Sequence, residues 1–254
     1  MRHLVVVIVM MMLAFAPTGS ESAGDNSPAV VSIIIDDIGY RLKQDRQMIE
    51  LPGKLTYAVL PNGPKAKQLA NYAHQLGKEV ILHMPMQSTL GAVAEKGVLE
   101  VDMGEKEVVN ALREAFSKVP HAVGMNNHQG SLLTRHPGHM AWVMKEMAKK
   151  DYFFIDSRTS KQSVAEKIAK EQRVRVLRRD VFLDHDVDMS SIKAQFNELI
   201  KKAKKNGAAI GIGHPHPETI AVLKELLPTL ELQGIVLEPI SYQFQQQATQ
   251  LVLH

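Results

Sequence analysis

Short apolar runs alternate with longer amphipathic segments along most of the chain. The runs are apolar throughout, as in parallel strands buried on both faces, whereas the segments between them repeat apolar residues every three to four positions, as helices do. We predict strands at Val30–Ile35, Leu55–Leu60, Glu79–His83, His121–Met125, Tyr152–Ile155, Arg173–Leu177, Ala208–Ile212 and Ile235–Glu238. We predict helices at Pro64–Leu76, Glu105–Lys118, Pro137–Lys149, Ser160–Gln172, Ser190–Lys205 and Glu218–Leu226.

This alternation is typical of an α/β protein, built either as a (β/α) barrel or as a doubly wound sheet. Residues 30–240 contain neither an internal repeat nor a linker rich in proline and serine, so we expect one domain over residues 30–242. The remaining residues, 243–254, include a glutamine-rich stretch and are expected to form a loose polar tail.

The first residues resemble a secretory signal. Arg2 and His3 precede an unbroken apolar run from Leu4 to Ala16, and small residues follow Pro17. The run is too short to span a bilayer, so we expect residues 1–23 to be a signal peptide, followed by a short linker at residues 24–29. The alternative is an uncleaved anchor. An exported protein, periplasmic or secreted, is predicted, with no membrane association after the signal is removed.

Composition narrows the possible partners and metal ligands. Hydrophobic residues make up 45% of the chain and charged residues 22%, which excludes a disordered or fibrous protein. The net charge is +3 with scattered lysines, so we expect no nucleic-acid partner. The chain has no cysteine, and any metal must therefore be bound by histidine, aspartate or glutamate.

Polar residues cluster at the C-terminal ends of the predicted strands. The groups that follow apolar runs are Asp36–Gly39, His83–Gln87, Asn126–Ser131, Asp156–Thr159, Asp184–Asp186 and His214–Pro217. In a barrel of parallel strands all of these ends open on one face, where active sites are built. This pattern favours the barrel over the doubly wound sheet and predicts an active site at its mouth.

Acidic and histidine side chains among these groups are candidate metal ligands. A carboxylate at a buried strand end is costly unless it is paired, which favours a metal ion beside Asp37, with His83, His128 and His214 at matching strand ends. The alternatives are a helix N-cap with a solvated neighbour for Asp36 and Asp37, and hydrogen-bonded core residues for the histidines.

Five motifs in order resemble those of the divergent polysaccharide deacetylases, bacterial exported proteins distantly similar to the NodB-type carbohydrate deacetylases. The motifs are Asp36–Gly39, His83–Met86, Asn127–Ser131, Asp156–Thr159 and Gly213–Pro215. The resemblance runs from about Val31 to Tyr242, nearly the whole chain after the predicted signal peptide. It implies a distorted seven- or eight-stranded (β/α) barrel of the glycoside hydrolase/deacetylase type. It also implies one divalent metal ion, usually zinc, held by one aspartate and two histidines.

By position in these motifs, the resemblance implies Asp37, His83 and His128 as metal ligands and Asp36 as the general base. The better-known deacetylases take both histidines from one His-x-x-x-His turn of helix. In this chain Gln87 stands four residues after His83, so the second histidine is taken from His128 on another strand.

The resemblance also implies His214 as the acid that protonates the departing amine and Asp156 as the carboxylate that orients it. Asp36 would take the proton from a metal-activated water that attacks the acetyl carbonyl of an N-acetylated sugar. The residues expected to contact the substrate or to stabilise its oxyanion are Asn127, Gly130, Ser131, Arg158 and His216.

The expected function is an exported metal-dependent hydrolase that removes N-acetyl groups from peptidoglycan or other envelope polysaccharides. The first alternative is a catalytically silent barrel that binds metal and glycan, because the arginine and tryptophan motifs of the deacetylases have no clear match. The second is a metal-dependent hydrolase of phosphoesters, for which Arg158, Arg178 and Arg179 are the only candidates for a phosphate clamp.

Overall fold

The computed structural model describes residues 28–90 and 96–252, with side chains described as far as residue 246. The predicted signal peptide, residues 1–23, and residues 24–27 of the predicted linker lie outside the described residues. Within the described ranges no helix combines the length and the apolar character that a membrane span requires.

The described residues form nine strands and eight α-helices in near-regular alternation. The strands are β1 (Ala29–Ile38), β2 (Thr56–Val59), β3 (Glu79–Met86), β4 (Ala122–Gln129), β5 (Phe153–Asp156), β6 (Val176–Arg178), β7 (Val181–Phe182), β8 (Ala208–Gly213) and β9 (Ile235–Leu237). The helices are α1 (Leu42–Ile49), α2 (Ala66–Gln75), α3 (Glu105–Lys118), α4 (Pro137–Ala148), α5 (Ala165–Glu171), α6 (Met189–Asn206), α7 (Pro217–Leu226) and α8 (Ile240–Val252).

The strands form one parallel sheet that curls into a distorted (β/α) barrel, so the predicted fold class is confirmed. Their order is β6-β5-β4-β3-β2-β1-β8-β7, and β9 pairs with the start of β1. The two residues between β6 and β7 link the two edges of this sheet through main-chain hydrogen bonds. Arg179 N donates to Asp156 O on β5 at 3.0 Å, and Asp180 N donates to Ile210 O on β8 at 2.9 Å.

Side chains of successive residues on each strand alternate between two apolar cores. A small cluster fills the inside of the barrel and consists of Ile34, Ala58, Ile81, Phe153, Ile155, Ile210, Ile212, Ile240 and Phe244. A larger cluster packs the outer face of the strands against the helices, and Ile33, Ile35 and Phe154 belong to it. Because strands have a period of two, this alternation decides which polar residues at the strand ends face the mouth of the barrel.

The prediction of a loose tail is wrong for residues 243–252, the part of it that the structure describes, because they continue helix α8, and the predicted boundary at residue 242 falls within this helix. Ile240 and Phe244 are 0% and 5% exposed and belong to the inner core. Gln243 Nε2 donates to Ser32 Oγ at 3.0 Å and to Ala209 O at 3.2 Å. The segment orders because its apolar residues, spaced four apart, pack into the N-terminal end of the barrel.

Two further elements differ from the prediction. Helix α1 was not among the predicted helices, and its first turn is held by Asp45 Oδ2, which accepts from Gly39 N at 2.9 Å and Arg41 N at 3.0 Å. Strand β7 has only two residues and was not among the predicted strands, since so short a run gives little periodic signal.

Candidate metal centre

A backbone irregularity at the end of β1 brings both aspartates to the mouth of the barrel. Asp36 continues the inward series of Ile34, so strict alternation would turn Asp37 outward. Asp37 instead has a left-handed backbone with φ of 60°, and the register between β1 and β2 shifts between Ile35 and Ile38. Bulges of this kind re-aim a side chain next to active sites.

Three of the predicted ligands come together at this point. Asp37 Oδ1 lies 3.2 Å from His83 Nε2 and 3.0 Å from His128 Nδ1, and the two imidazole nitrogens are 3.0 Å apart. Ligand atoms on a tetrahedral zinc ion, each about 2.0–2.1 Å from the metal, lie about 3.3 Å from one another. The donor set of one carboxylate and two histidines therefore fits a divalent metal ion.

The state of the Asp37 carboxylate supports the same interpretation. Its Oδ1 atom is buried. Two imidazole nitrogens lie close to it, but within the described part of the chain none of its contacts has the geometry of a hydrogen bond. Burial acts to raise the pKa of Asp37, but the imidazoles of His128 and His83 outweigh it and hold the pKa well below its usual range. The carboxylate is thus kept as an anion, the form that binds a metal cation.

Asn126 orients His83 and links it to Asp36. Asn126 Nδ2 donates to Asp36 Oδ1 at 2.7 Å, which leaves Asn126 Oδ1 to accept from His83 Nδ1 at 2.7 Å. Because Nδ1 then carries the proton, the Nε2 lone pair of His83 points to Asp37 and His128. Sequence reasoning missed this role, although the two-residue spacing of Asn126 and His128 on β4 places both on one face.

Electrostatics at His83 follow from its position between two carboxylates. His83 is 2% exposed, and its Nε2 lies 3.6 Å from Asp36 Oδ2. Burial lowers the pKa of this imidazole, but the negative charges of Asp36 and Asp37 outweigh it and raise the pKa above its usual value. The field that favours an imidazolium here also favours a bound metal cation.

His214 faces the same centre from β8 and is held by Asp184. Asp184 Oδ1 lies 2.9 Å from His214 Nδ1, and Asp184 Oδ2 accepts from His214 N at 2.6 Å and Thr219 Oγ1 at 2.8 Å. The other ring nitrogen, Nε2, lies 4.0 Å from Asp37 Oδ2. Burial lowers the pKa of His214, but Asp184 and Asp36 raise it to about 9.

The predicted contact between Asp156 and His214 is wrong, and Asp184 takes that place. Asp156 Oδ1 accepts from Arg158 N at 2.8 Å and Asp156 Oδ2 accepts from Ser163 Oγ at 2.7 Å. Ile155 points into the barrel, so the alternation along β5 turns Asp156 outward, toward the segment before α5.

Three of the five residues predicted to contact the substrate are instead held by contacts within the protein. Asn127 is 1% exposed, and its side chain accepts from Ser157 N at 2.9 Å and donates to Gln129 O at 2.7 Å. Gly130 has a φ of 85°, and a side chain there would meet Met86 Cβ at 3.0 Å. Ser131 Oγ lies 3.1 Å from Ser88 Oγ and accepts from the Thr89 amide at 3.0 Å. These contacts join neighbouring loops at the mouth.

The remaining two, Arg158 and His216, are partly exposed. Arg158 has a left-handed backbone with φ of 54°, and its guanidinium lies 4.0 Å from Asp156. His216 precedes α7, its ring centroid 5.9 Å from that of His214. Arg179, predicted only as part of a phosphate clamp, donates from Nε to Ser157 O at 2.8 Å. Burial lowers the pKa of Arg179 below its usual value, although the negative charges of Asp36 and Asp156 act in the opposite direction.

Solved structures share this fold. The crystal structure of the uncharacterised protein ATU2773 from Agrobacterium tumefaciens C58 matches with a TM-score of 0.82 at 24% identity, over 85% of this chain and 89% of that one. Peptidoglycan deacetylase PdaC from Bacillus subtilis matches with a TM-score of 0.54 at 12% identity, over 90% and 97%. BA3943, a CE4 family pseudoenzyme from Bacillus anthracis, matches with a TM-score of 0.53 at 13% identity, over 85% and 66%.

Sequence relatives cover most of the chain. An uncharacterised protein of Haemophilus influenzae is 42% identical over 200 residues, 79% of this chain and 71% of the relative. The uncharacterised protein YibQ of Escherichia coli is 38% identical over 200 residues, and the match spans 63% of its length. The profile described as divergent polysaccharide deacetylase matches residues 33–243. The resemblance seen in the motifs is confirmed, and the chain belongs to the divergent polysaccharide deacetylase family.

Proposed function

We propose that this protein is an exported, metal-dependent hydrolase that removes N-acetyl groups from amino-sugar polymers of the bacterial envelope. The observation that carries the proposal is the convergence of Asp37, His83 and His128 within 3.0–3.2 Å of one another, beside a buried Asp36 and the pair Asp184–His214. Family membership supports the reaction class, and export is inferred from the pattern of residues 1–23.

Asp37, His83 and His128 would hold the metal, for which we propose zinc. When bound, zinc supplies Lewis acidity, which lowers the pKa of a water molecule and polarises a carbonyl. Asp36 is held next to this centre by Asn126, with Oδ2 facing His83. Its carboxylate is placed to accept the proton of the attacking water as a general base.

Asp184 and His214 would complete the reaction on the leaving-group side. Asp184 fixes the imidazole through Nδ1, so that Nε2 faces the centre. The negative charge of Asp184 against Nδ1 favours the protonated imidazole, which would donate its proton from Nε2 to the departing amine. Its carboxylate partner stabilises the imidazolium, as in other histidine–carboxylate pairs of hydrolases.

Two measurements on the purified protein test this function. The first is metal content by inductively coupled plasma mass spectrometry, where His128→Ala should remove the metal and the exposed His74→Ala should not. The second is acetate release from N-acetylated glycans, where Asp36→Asn should retain metal and lower turnover roughly 10²–10⁴-fold. Asp102→Asn, at an exposed position, is the matched control. A protein that takes up no metal on titration would contradict the proposal.

A silent barrel that binds metal and glycan without turnover is the second candidate. It is favoured by Gln87, which stands where the better-known deacetylases have their second histidine. Here its side chain accepts from Val101 N at 2.8 Å instead. BA3943, which has a similar fold, is a pseudoenzyme, and fold does not determine function. Glycan binding by the metal-loaded protein with no release of acetate under any condition would establish this candidate over the first.

A further inference from the structure

The loop after β5 carries a buried hydroxyl group that the protein itself does not satisfy. Ser157 is 6% exposed, and its Oγ makes no hydrogen bond within the described ranges. Its main chain is held at both ends, because its amide donates to Asn127 Oδ1 at 2.9 Å and its carbonyl accepts from Arg179 Nε at 2.8 Å. A rigidly held buried hydroxyl without a partner costs stability, which indicates a partner from outside the chain.

The strand pattern places Ser157 on the inner face, next to the candidate metal centre. Phe153 and Ile155 belong to the inner core. Strand β5 ends at Asp156, and the same alternation carried one residue further turns Ser157 inward. Asn126 on β4 pairs with Ile155 on β5, and two residues further along both strands stand His128 and Ser157. A ligand bound at the Asp37–His83–His128 centre would therefore lie beside this hydroxyl.

We propose that Ser157 Oγ hydrogen-bonds a hydroxyl group of the sugar whose acetamido group reacts. The inference rests on the proposed function and adds a substrate-binding residue to it. A neutral serine hydroxyl both donates and accepts, as a sugar hydroxyl does, and it is too weak a base to compete for the protons assigned to Asp36 and His214. Those two residues lie on or next to β1 and β8, which β5 does not adjoin, so Ser157 contacts a different part of the ligand.

The test compares Ser157→Ala with Ser163→Ala, a serine of the same region whose hydroxyl is satisfied. Ser163 Oγ donates to Asp156 Oδ2 at 2.7 Å, on the outer side of β5. The probe is a tetramer of β-1,4-linked N-acetylglucosamine, titrated calorimetrically into the zinc-loaded protein, and thermal unfolding is measured without glycan. Ser157→Ala should weaken tetramer binding about 2- to 12-fold, the range of one neutral hydrogen bond, with an unchanged or raised Tm. Ser163→Ala should lower Tm and leave binding unchanged.

The possible outcomes separate this inference from the proposed function. If Ser157→Ala lowers Tm and leaves binding intact, the hydroxyl serves the fold, through a bound water for example, and the inference is overturned. Equal affinity and equal Tm in wild type and Ser157→Ala also overturn it. A zinc-loaded wild type that binds no tetramer and releases no acetate from it contradicts the proposed function itself, and the substrate contact at Ser157 with it.

Discussion

Replacing Asp184 by asparagine tests whether Asp184, and not the predicted Asp156, orients His214. Asp184 is 3% exposed and accepts three hydrogen bonds, from His214 N, His214 Nδ1 and Thr219 Oγ1. An asparagine offers one acceptor oxygen. If that oxygen still accepts from His214 Nδ1, the new NH₂ group of the asparagine faces the His214 amide, which now lies 2.6 Å from Asp184 Oδ2. The His214 amide then loses its acceptor. The Thr219 hydroxyl can rotate and accept instead.

The magnitude follows from these contacts. One charge-assisted hydrogen bond to a buried backbone amide is lost, so Asp184→Asn should lower the free energy of unfolding by about 1.5–3 kcal/mol. Loss of the negative charge beside His214 also removes the main stabilisation of its imidazolium, and turnover should fall roughly 10²–10⁴-fold. The assays are urea unfolding followed by circular dichroism, and acetate release at saturating metal.

Asp156→Asn is the matched control, because Asp156 is similarly buried and accepts two hydrogen bonds near the mouth. It should destabilise the fold to a similar extent but leave turnover within about threefold of wild type, given an outward side chain. A larger loss of turnover in Asp156→Asn than in Asp184→Asn, with metal retained in both, would refute the reasoning from strand alternation and return the orienting role to Asp156.

Three further outcomes are expected. Asn126→Ala should weaken zinc binding about 10- to 100-fold, because His83 loses the partner that fixes its tautomer; equilibrium dialysis would show it, and unchanged affinity would contradict that role. Burial raises the pKa of Glu79, so the folded state favours its protonated form and loses that stability as the pH rises through the raised pKa. Glu79→Gln should therefore raise Tm at pH 7, and a gain that persists undiminished at pH 3 would argue against this cause. Phe244→Ala should cost about 3–5 kcal/mol in urea unfolding, whereas the exposed Gln246→Ala should cost almost nothing; a tail that is loose in solution would make the two equal.

The sequence alone predicted the barrel and most of the candidate metal centre. Buried parallel strands need apolar residues on both faces, so runs such as Ile33–Ile35 mark their own positions. Their polar ends must meet on one face of a barrel, whatever the details of packing. This is why Asp37, His83, His128 and His214, far apart along the chain, could be expected together. The choice of the first three as metal ligands came from the resemblance to the deacetylases.

Only the tertiary structure decided which neighbours hold these residues. Asp156 and Asp184 both follow apolar runs, and the choice between them depends on strand alternation and on the contact of β7 with β8, a strand of two residues with little local signal. Asn126 contacts His83 across 43 positions of sequence, through the register of two strands. Helix α8 orders because the open end of the barrel is apolar, which its own glutamine-rich sequence does not show. Long-range register and packing are properties of the assembled sheet, and local pattern contains neither.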